Sequence, residues 1–424
     1  MMGFREIKMS YIEFNKIKKY LIFLFLIVLF SSCEENDSTL AGVLPASWAK
    51  VDTLTDVTCG LTKKNKLYCW GMAEFYHHSI TGKSTPMRID GEWIDFSVGD
   101  SFICGIKTDN KLYCWGRSGA LGIGETQVPN EYIVSPEEVL GGFTDWVSVS
   151  AGSNHTCGIR KNKDLYCWGL NYYGEVGVKK GICEKNEDCI SPEICNLDSG
   201  ACEESGVIKA ATRYEPVLVD SNLKWKTVEA GNEYTCGIDN NDELYCWGKN
   251  DEGQLGTGDI NNRYKPEKVD SAEKWKTVAL SKKNTLGILL NDNVLNWGNG
   301  TLSPVNESYE NKWLQFSISE GHLCGINLES KLFCGGINLS GEIGIGKRSE
   351  VEDLTEIEGS NWKMIITGNS FIIEGVNMTE YYKGHTCGIR ESNGLDRIYC
   401  WGNNDVFQLT GEQDYKTSPT LIKY

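Results

Sequence analysis

One cysteine spacing recurs around the chain and restricts its fold more than any other feature. TCGLTKKNKLYCWG (58–71), ICGIKTDNKLYCWG (103–116), TCGIRKNKDLYCWG (156–169) and TCGIDNNDELYCWG (235–248) are near copies of one another. Weaker copies follow as TLGILLNDNVLNWG (285–298), LCGINLESKLFCGG (323–336) and TCGIRESNGLDRIYCWG (386–402). A tryptophan opens each unit, at Trp48, Trp93, Trp146, Trp225, Trp275, Trp313 and Trp362. Self-similarity at roughly 40–50 residues marks a propeller or solenoid, whose units bury their apolar faces only against their neighbours.

Within a unit, short runs alternate apolar and polar residues, as in Trp225-x-Thr-Val-x-Ala, and Gly or Asn separates them. That is strand–turn–strand spacing with no helical period. The composition agrees: 46 Gly, 9 Pro, 13 Trp and 19 Tyr suit many short strands and tight turns. A Pro-led run precedes most of the tryptophans (Pro86, Pro136, Pro216, Pro266, Pro304, with Leu354 standing in), giving about four strands per unit. The expected fold is all-β, a seven-bladed β-propeller. Trp48 lacks a Pro-led strand at the usual distance, while Pro419-Thr420-Leu421-Ile422 is left over at the end. The propeller is therefore expected to be closed by the C-terminal strand completing the first blade, with Leu40–Leu44 as the rival for that place.

Trp247-Gly248-Lys249-Asn250-Asp251-Glu252-Gly253-Gln254-Leu255-Gly256-Thr257-Gly258 resembles the regulator-of-chromosome-condensation repeat in full, and 168–177 and 335–346 are close to it. The resemblance runs over about 48–424 and implies a seven-bladed propeller. It implies little about function, because such a fold carries many unrelated activities.

The chain has 17 cysteines. Cys59/Cys69, Cys104/Cys114, Cys157/Cys167, Cys236/Cys246, Cys324/Cys334 and Cys387/Cys400 fall in the repeats. If each hairpin turns at its midpoint, the two partners oppose each other on neighbouring strands at disulfide distance. The fifth unit has Leu286 and Asn296 instead, so both partners are missing together. Neither closely spaced Cys/His ligands for zinc nor Cys-x-x-Cys for redox work is present. A second cluster, Cys183, Cys189, Cys195 and Cys202, reads as a disulfide-rich insert (180–206) of undetermined connectivity. The remaining thiol is Cys33.

So many cysteines point to an oxidising compartment. Lys16, Lys18 and Lys19 precede the apolar run Leu21–Phe30 and then Ser31-Ser32-Cys33, the layout of a signal peptide. Small residues before a Cys resemble a bacterial lipobox, although Phe30 departs from it; the resemblance implies cleavage and acylation at Cys33. The expected organisation is a signal peptide (1–32), a tether (33–47) and a propeller (48–424), with a loop insertion at 368–383. The net charge of −16 repels phosphate backbones, so nucleic acid is not an expected partner.

Chemistry is hard to find. His155, His322 and His385 occupy one repeat position that elsewhere holds Val57, Phe102, Tyr234 or Asn284, so they read as packing residues. His77 and His78 lie off the pattern without an acid partner. No catalytic, cofactor or metal residues are assigned. The loops after Trp-Gly carry Phe75, Tyr76, Tyr172, Tyr173 and Phe407, which either ring one face as contact anchors or pack between blades. The expected function is a non-catalytic, monomeric binding or scaffold protein of the bacterial outer membrane or cell surface, held by lipid at Cys33 and engaging a protein or envelope component. An inhibitor of an extracytoplasmic enzyme is the alternative, and a carbohydrate-active enzyme the third reading.

Overall fold

The computed structural model describes residues 47–71, 83–117, 119–124, 132–178, 194–196, 201–203, 212–307, 311–374, 379–405, 407–409 and 414–423. Seven four-stranded antiparallel sheets follow one another along the chain. In the fourth they are Trp225–Ala230, Tyr234–Asp239, Leu244–Gly248 and Arg263–Lys268. The Trp-led strand of every sheet lines a central channel, so it is the innermost strand, and the Pro-led strand is outermost. This is an all-β seven-bladed propeller.

Two motif residues are explained by the packing inside a blade. The inner-strand Trp225 lies flat on Gly237 of the second strand, where an added Cβ would come within 2.7 Å of the indole. Trp225 also meets Tyr245 edge-on, with ring centroids 5.7 Å apart. The cysteines sit directly opposite one another on the second and third strands, as at Cys236 and Cys246. Disulfides join Cys59–Cys69, Cys104–Cys114, Cys157–Cys167, Cys236–Cys246, Cys324–Cys334 and Cys387–Cys400. In the fifth blade the same register pairs Leu286 with Asn296.

The expected closure is corrected. The first sheet is complete with its own strands, from Trp48–Thr53 to Lys83–Ile89, and the C-terminal strand Lys416–Leu421 pairs within the seventh sheet. Each Pro-led strand belongs to the preceding Trp-Gly unit, not to the Trp that follows it. The chemistry of proline favours this: lacking an N–H, it suits an outermost strand with one unpaired edge.

Blades are joined by side chains and loops instead. Asn250 braces the loop after Trp-Gly, accepting from Leu255 N (3.0 Å) and donating to Asp259 O (2.9 Å). The braced loop presents the carbonyl of Gln254 to the next blade, where Thr285 Oγ1 (2.8 Å) and Trp297 Nε1 (3.0 Å) both donate to it. The carbonyls of Glu175 and Glu342 serve their following blades in the same way. The ring closes by this device too: Thr58 Oγ1 and Trp70 Nε1 of the first blade donate to Gln408 O of the seventh at 3.0 and 2.9 Å.

Because the strands alternate in direction, the connections from first to second and from third to fourth strand emerge at one end of the ring, here the loop face. The remaining connections lie at the other end, the base. The 368–383 segment was expected to be a loop. It continues the two inner strands of the seventh blade as Trp362–Glu374 and Thr379–Ser392, in register out to Glu374 and Thr379. Phe371-Ile372-Ile373 and Tyr381-Tyr382 have high strand propensity, which accounts for the extension. In the Cys-rich insert, Ile194–Asn196 pairs with Ala201–Glu203, placing Cys195 opposite Cys202; Cys183 and Cys189 lie outside the described residues.

Candidate functional site

The loop face gathers most of the departures from the repeat. The aromatic loops and the Cys-rich insert leave from third-to-fourth strand connections, and the extended hairpin from a first-to-second connection, so all of them emerge at this end. Lys383 of the hairpin pairs with Asp405 of its own blade's Trp-Gly loop at 3.0 Å, which ties the two together.

The aromatics on these loops are not equivalent. Tyr172 is 40% exposed, as a contact anchor must be. Tyr173 is half-buried beneath the Lys249 ammonium, 4.9 Å from its ring centroid, and Lys249 is held by Glu233 at 2.6 Å. Phe407 is half-buried with φ +62°, at a loop position where Gly174, Gly253 and Gly341 also have positive φ. A left-handed phenylalanine costs roughly 1–2 kcal/mol, and strain of this kind collects at functional positions. Phe407→Gly is expected to raise the unfolding free energy by about 1 kcal/mol in urea titrations. A destabilised Phe407→Gly would show instead that the ring packs between blades. Phe75, Tyr76 and Cys33 lie outside the described residues.

The three repeat histidines are buried links between blades. His155 Nε2 meets Thr235 Oγ1 at 2.8 Å, His322 Nε2 meets Thr386 Oγ1 at 2.9 Å, and His385 Nε2 meets Thr53 Oγ1 at 2.7 Å. In the fourth blade Tyr234 OH makes the equivalent contact to Thr285 at 2.9 Å. Burial lowers the imidazole pKa values to about 4, 3 and 4 in that order, with the charge of His385 also acting on His322. They are neutral structural groups.

The central channel, of about 430 Å³, holds a cluster that the sequence reading missed. Lys50 pairs with Asp95 at 2.7 Å and donates to Phe96 O at 2.6 Å. Asp52 accepts from Val98 N (2.9 Å) and Ser97 Oγ (3.1 Å), and Asp95 from Val149 N (3.2 Å). Burial pushes the Asp52 pKa up against the opposing Lys50 charge. Glu229 is open to channel water but walled by protein, and has no hydrogen-bond partner among the described residues. Its pKa rises to about 7, through desolvation first and then Asp52 and Asp95 against the opposing Lys50. Aligning the second and fourth residues after each inner Trp would have exposed these charges, since other blades place Ser148, Thr277, Ala279 or Ile366 there. The aspartates bind neighbouring inner strands together, and the Lys50, Asp52 and Asp95 charges act on Glu229 within the same channel. Among the described residues, no group of three or more His, Cys, Asp or Glu is placed to hold a metal ion.

Fold and loops together define a disulfide-stapled propeller with one elaborated face. Two models of the regulator of chromosome condensation (RCC1) repeat match its repeats, at 93–120, 146–175 and 225–254 and at 109–159 and 241–288. RCC1 domain-containing protein 1 of Mus musculus is 29% identical over 153 residues, covering 33% of this chain and 39% of that protein. The ultraviolet-B receptor UVR8 of Arabidopsis thaliana is 24% identical over 246 residues, covering 48% and 55%. The chain thus spans between two fifths and about half of these relatives' length. Yeast RCC1 (Prp20) bound to Kap60 has the same fold, with TM-score 0.64 at 16% identity, over 92% of this chain and 90% of that one. Human WBSCR16 gives 0.63 at 16% identity, over 81% and 85%.

Proposed function

We propose that this protein is an exported, lipid-anchored binding module of the cell envelope that engages another protein through its loop face. The observation that carries the reading is the confinement of the aromatic loops, the Cys-rich insert and the long hairpin to one end of a rigid ring. Loops on a fixed scaffold are where recognition is usually built, and exposed Tyr is a frequent anchor. Six disulfides suit an oxidising compartment, in keeping with the Lys16–Cys33 export signal. Similar proteins add support at the level of class: a GTPase regulator, a receptor, and a yeast propeller with binding properties to Gsp1p and histones. Those partners belong to those proteins.

The test is quantitative affinity capture from intact envelopes with wild type, Tyr172→Ala/Tyr173→Ala, and Lys161→Ala at the base as control. The reading expects a partner recovered by wild type and control and lost by the double variant. Equal recovery by all three would remove the loop face from the binding role.

A further inference from the structure

We infer that the base of the propeller is a membrane-apposed face, so that the loop face points away from the bilayer that holds the chain. The inference rests on the proposed lipid anchor at Cys33 and adds the geometry of the attached ring.

The chain enters the ring at its base. Trp48–Thr53 is an inner strand that runs from the base toward the loop face, so the residues after Cys33 join the ring at its base and near its axis. Lys63 N donates to Ser47 O at 2.8 Å, fixing that entry point to the turn between the second and third strands. The stretch from Cys33 to Ser47 reaches at most about 50 Å even when fully extended. Entry near the axis over so short a span favours a ring seated on its base, and it raises the effective concentration of even a weak base–membrane contact.

The surface chemistry at that end suits a membrane as well. In every blade the strand register shifts just after the inner Trp, leaving one bulged residue unpaired at the base. These residues are Ala49, Ile94, Val147, Lys226, Lys276, Leu314 and Lys363. Ile94, Val147 and Leu314 are exposed, and none of the seven is acidic. Leu290 and Leu328, on the base turns of the fifth and sixth blades, are exposed as well. Exposed aliphatics interleaved with lysines match a bilayer interface, where the lysine stems lie along the lipid and their ammonium groups reach water. The lysines are tied to base acids, as in Lys276–Asp292 at 3.1 Å, so apolar contact rather than charge carries the apposition.

The experiment uses the full mature lipoprotein in phosphatidylethanolamine/phosphatidylglycerol vesicles containing a quencher-bearing lipid. A fluorophore is placed through a non-canonical residue at the exposed base position of Lys161 or at the exposed loop-face position of Asp251. Intact mass first reads acylation of Cys33; a chain without acyl groups removes the anchor and this inference with it. With acylation present, the base label is expected to be quenched and the loop-face label to stay bright. Ile94→Asp/Leu314→Asp is expected to relieve the base quenching while the acyl mass and vesicle flotation persist. Equal quenching at both positions, or stronger quenching at the loop face, would overturn the inference while leaving the anchor intact.

Discussion

Reduction and alkylation of the blade disulfides is expected to unfold the protein under conditions in which the oxidised form is stable. Each bridge closes a short loop, with partners ten residues apart in five blades and thirteen in the seventh. Closing a loop of that size restricts the unfolded chain by about 3 kcal/mol. Even at about 2 kcal/mol each, six bridges sum to a loss comparable with the whole stability of an ordinary domain, about 5–15 kcal/mol. The cysteines are fully buried, so a reductant reaches them only when a blade opens. Mild denaturant with a phosphine should therefore give cooperative loss of the near-UV signal of the buried tryptophans. Retention of that signal after complete alkylation would show that loop clamps and tryptophan packing hold the ring alone. The fifth blade supplies a complementary test. Asn296 Oδ1 there is buried without a partner, opposite Leu286. Leu286→Cys/Asn296→Cys is expected to form a seventh bridge and add about 2–4 kcal/mol, read as a higher urea midpoint.

Much of this architecture was legible in the sequence because the repeat makes the same statement in every unit. Cys236 and Cys246 could be paired across a hairpin because their spacing centres on the turn at Asn240–Asn241. The missing pair at Leu286 and Asn296 argued the same from its absence. The ring closure was misassigned because Pro86 and Pro419 look alike whether an outer strand ends one unit or begins the next; only strand pairing separates the two. The histidines read correctly as packing groups, since a residue type that varies among blades at one position has a local job. The channel charges were missed for the opposite reason. Lys50 and Asp52, Asp95, and Glu229 sit on three strands far apart along the chain and converge only because inner strands surround one axis. The elaborated face lay between: its aromatics were visible, but that the hairpin shares their end follows only from strand direction.

Glu175→Gln/Glu342→Gln is expected to stabilise the protein at about pH 8 by roughly 2–3 kcal/mol per site and to make it far more acid-sensitive than wild type. Both carboxyls are buried in the Trp-Gly loops, where Glu175 Oε2 accepts from Tyr173 N at 2.9 Å and Glu342 Oε2 from Ser340 N at 2.6 Å. Gln254 holds the same place in the fourth blade and accepts from Glu252 N at 2.9 Å, so glutamine fits. Desolvation raises both pKa values from 4.5 to about 7, with Glu233 adding at Glu175 and Arg348 opposing at Glu342. A raised carboxyl makes the folded state bind more protons than the unfolded one, so its stabilisation is complete below 4.5 and is lost as pH rises through about 7. The buried imidazoles act in the opposite sense. Their pKa values fall from 6.5 to about 4, 3 and 4, so their contribution is complete above 6.5 and is lost as pH falls toward those values. At about pH 5 each imidazole costs roughly 2 kcal/mol. In wild type the two carboxyls gain stability over the window in which the three histidines lose it, so the profile from about pH 7 to pH 5 should be shallow. The glutamine variant removes the gain and leaves the loss. Urea midpoints measured across that range should therefore fall by several kcal/mol equivalent in the variant and by about 1–2 in wild type. Parallel profiles would show that the loop carboxyls are already neutral or well hydrated, and that the clamp carbonyls of Glu175 and Glu342 are independent of the side chains beside them.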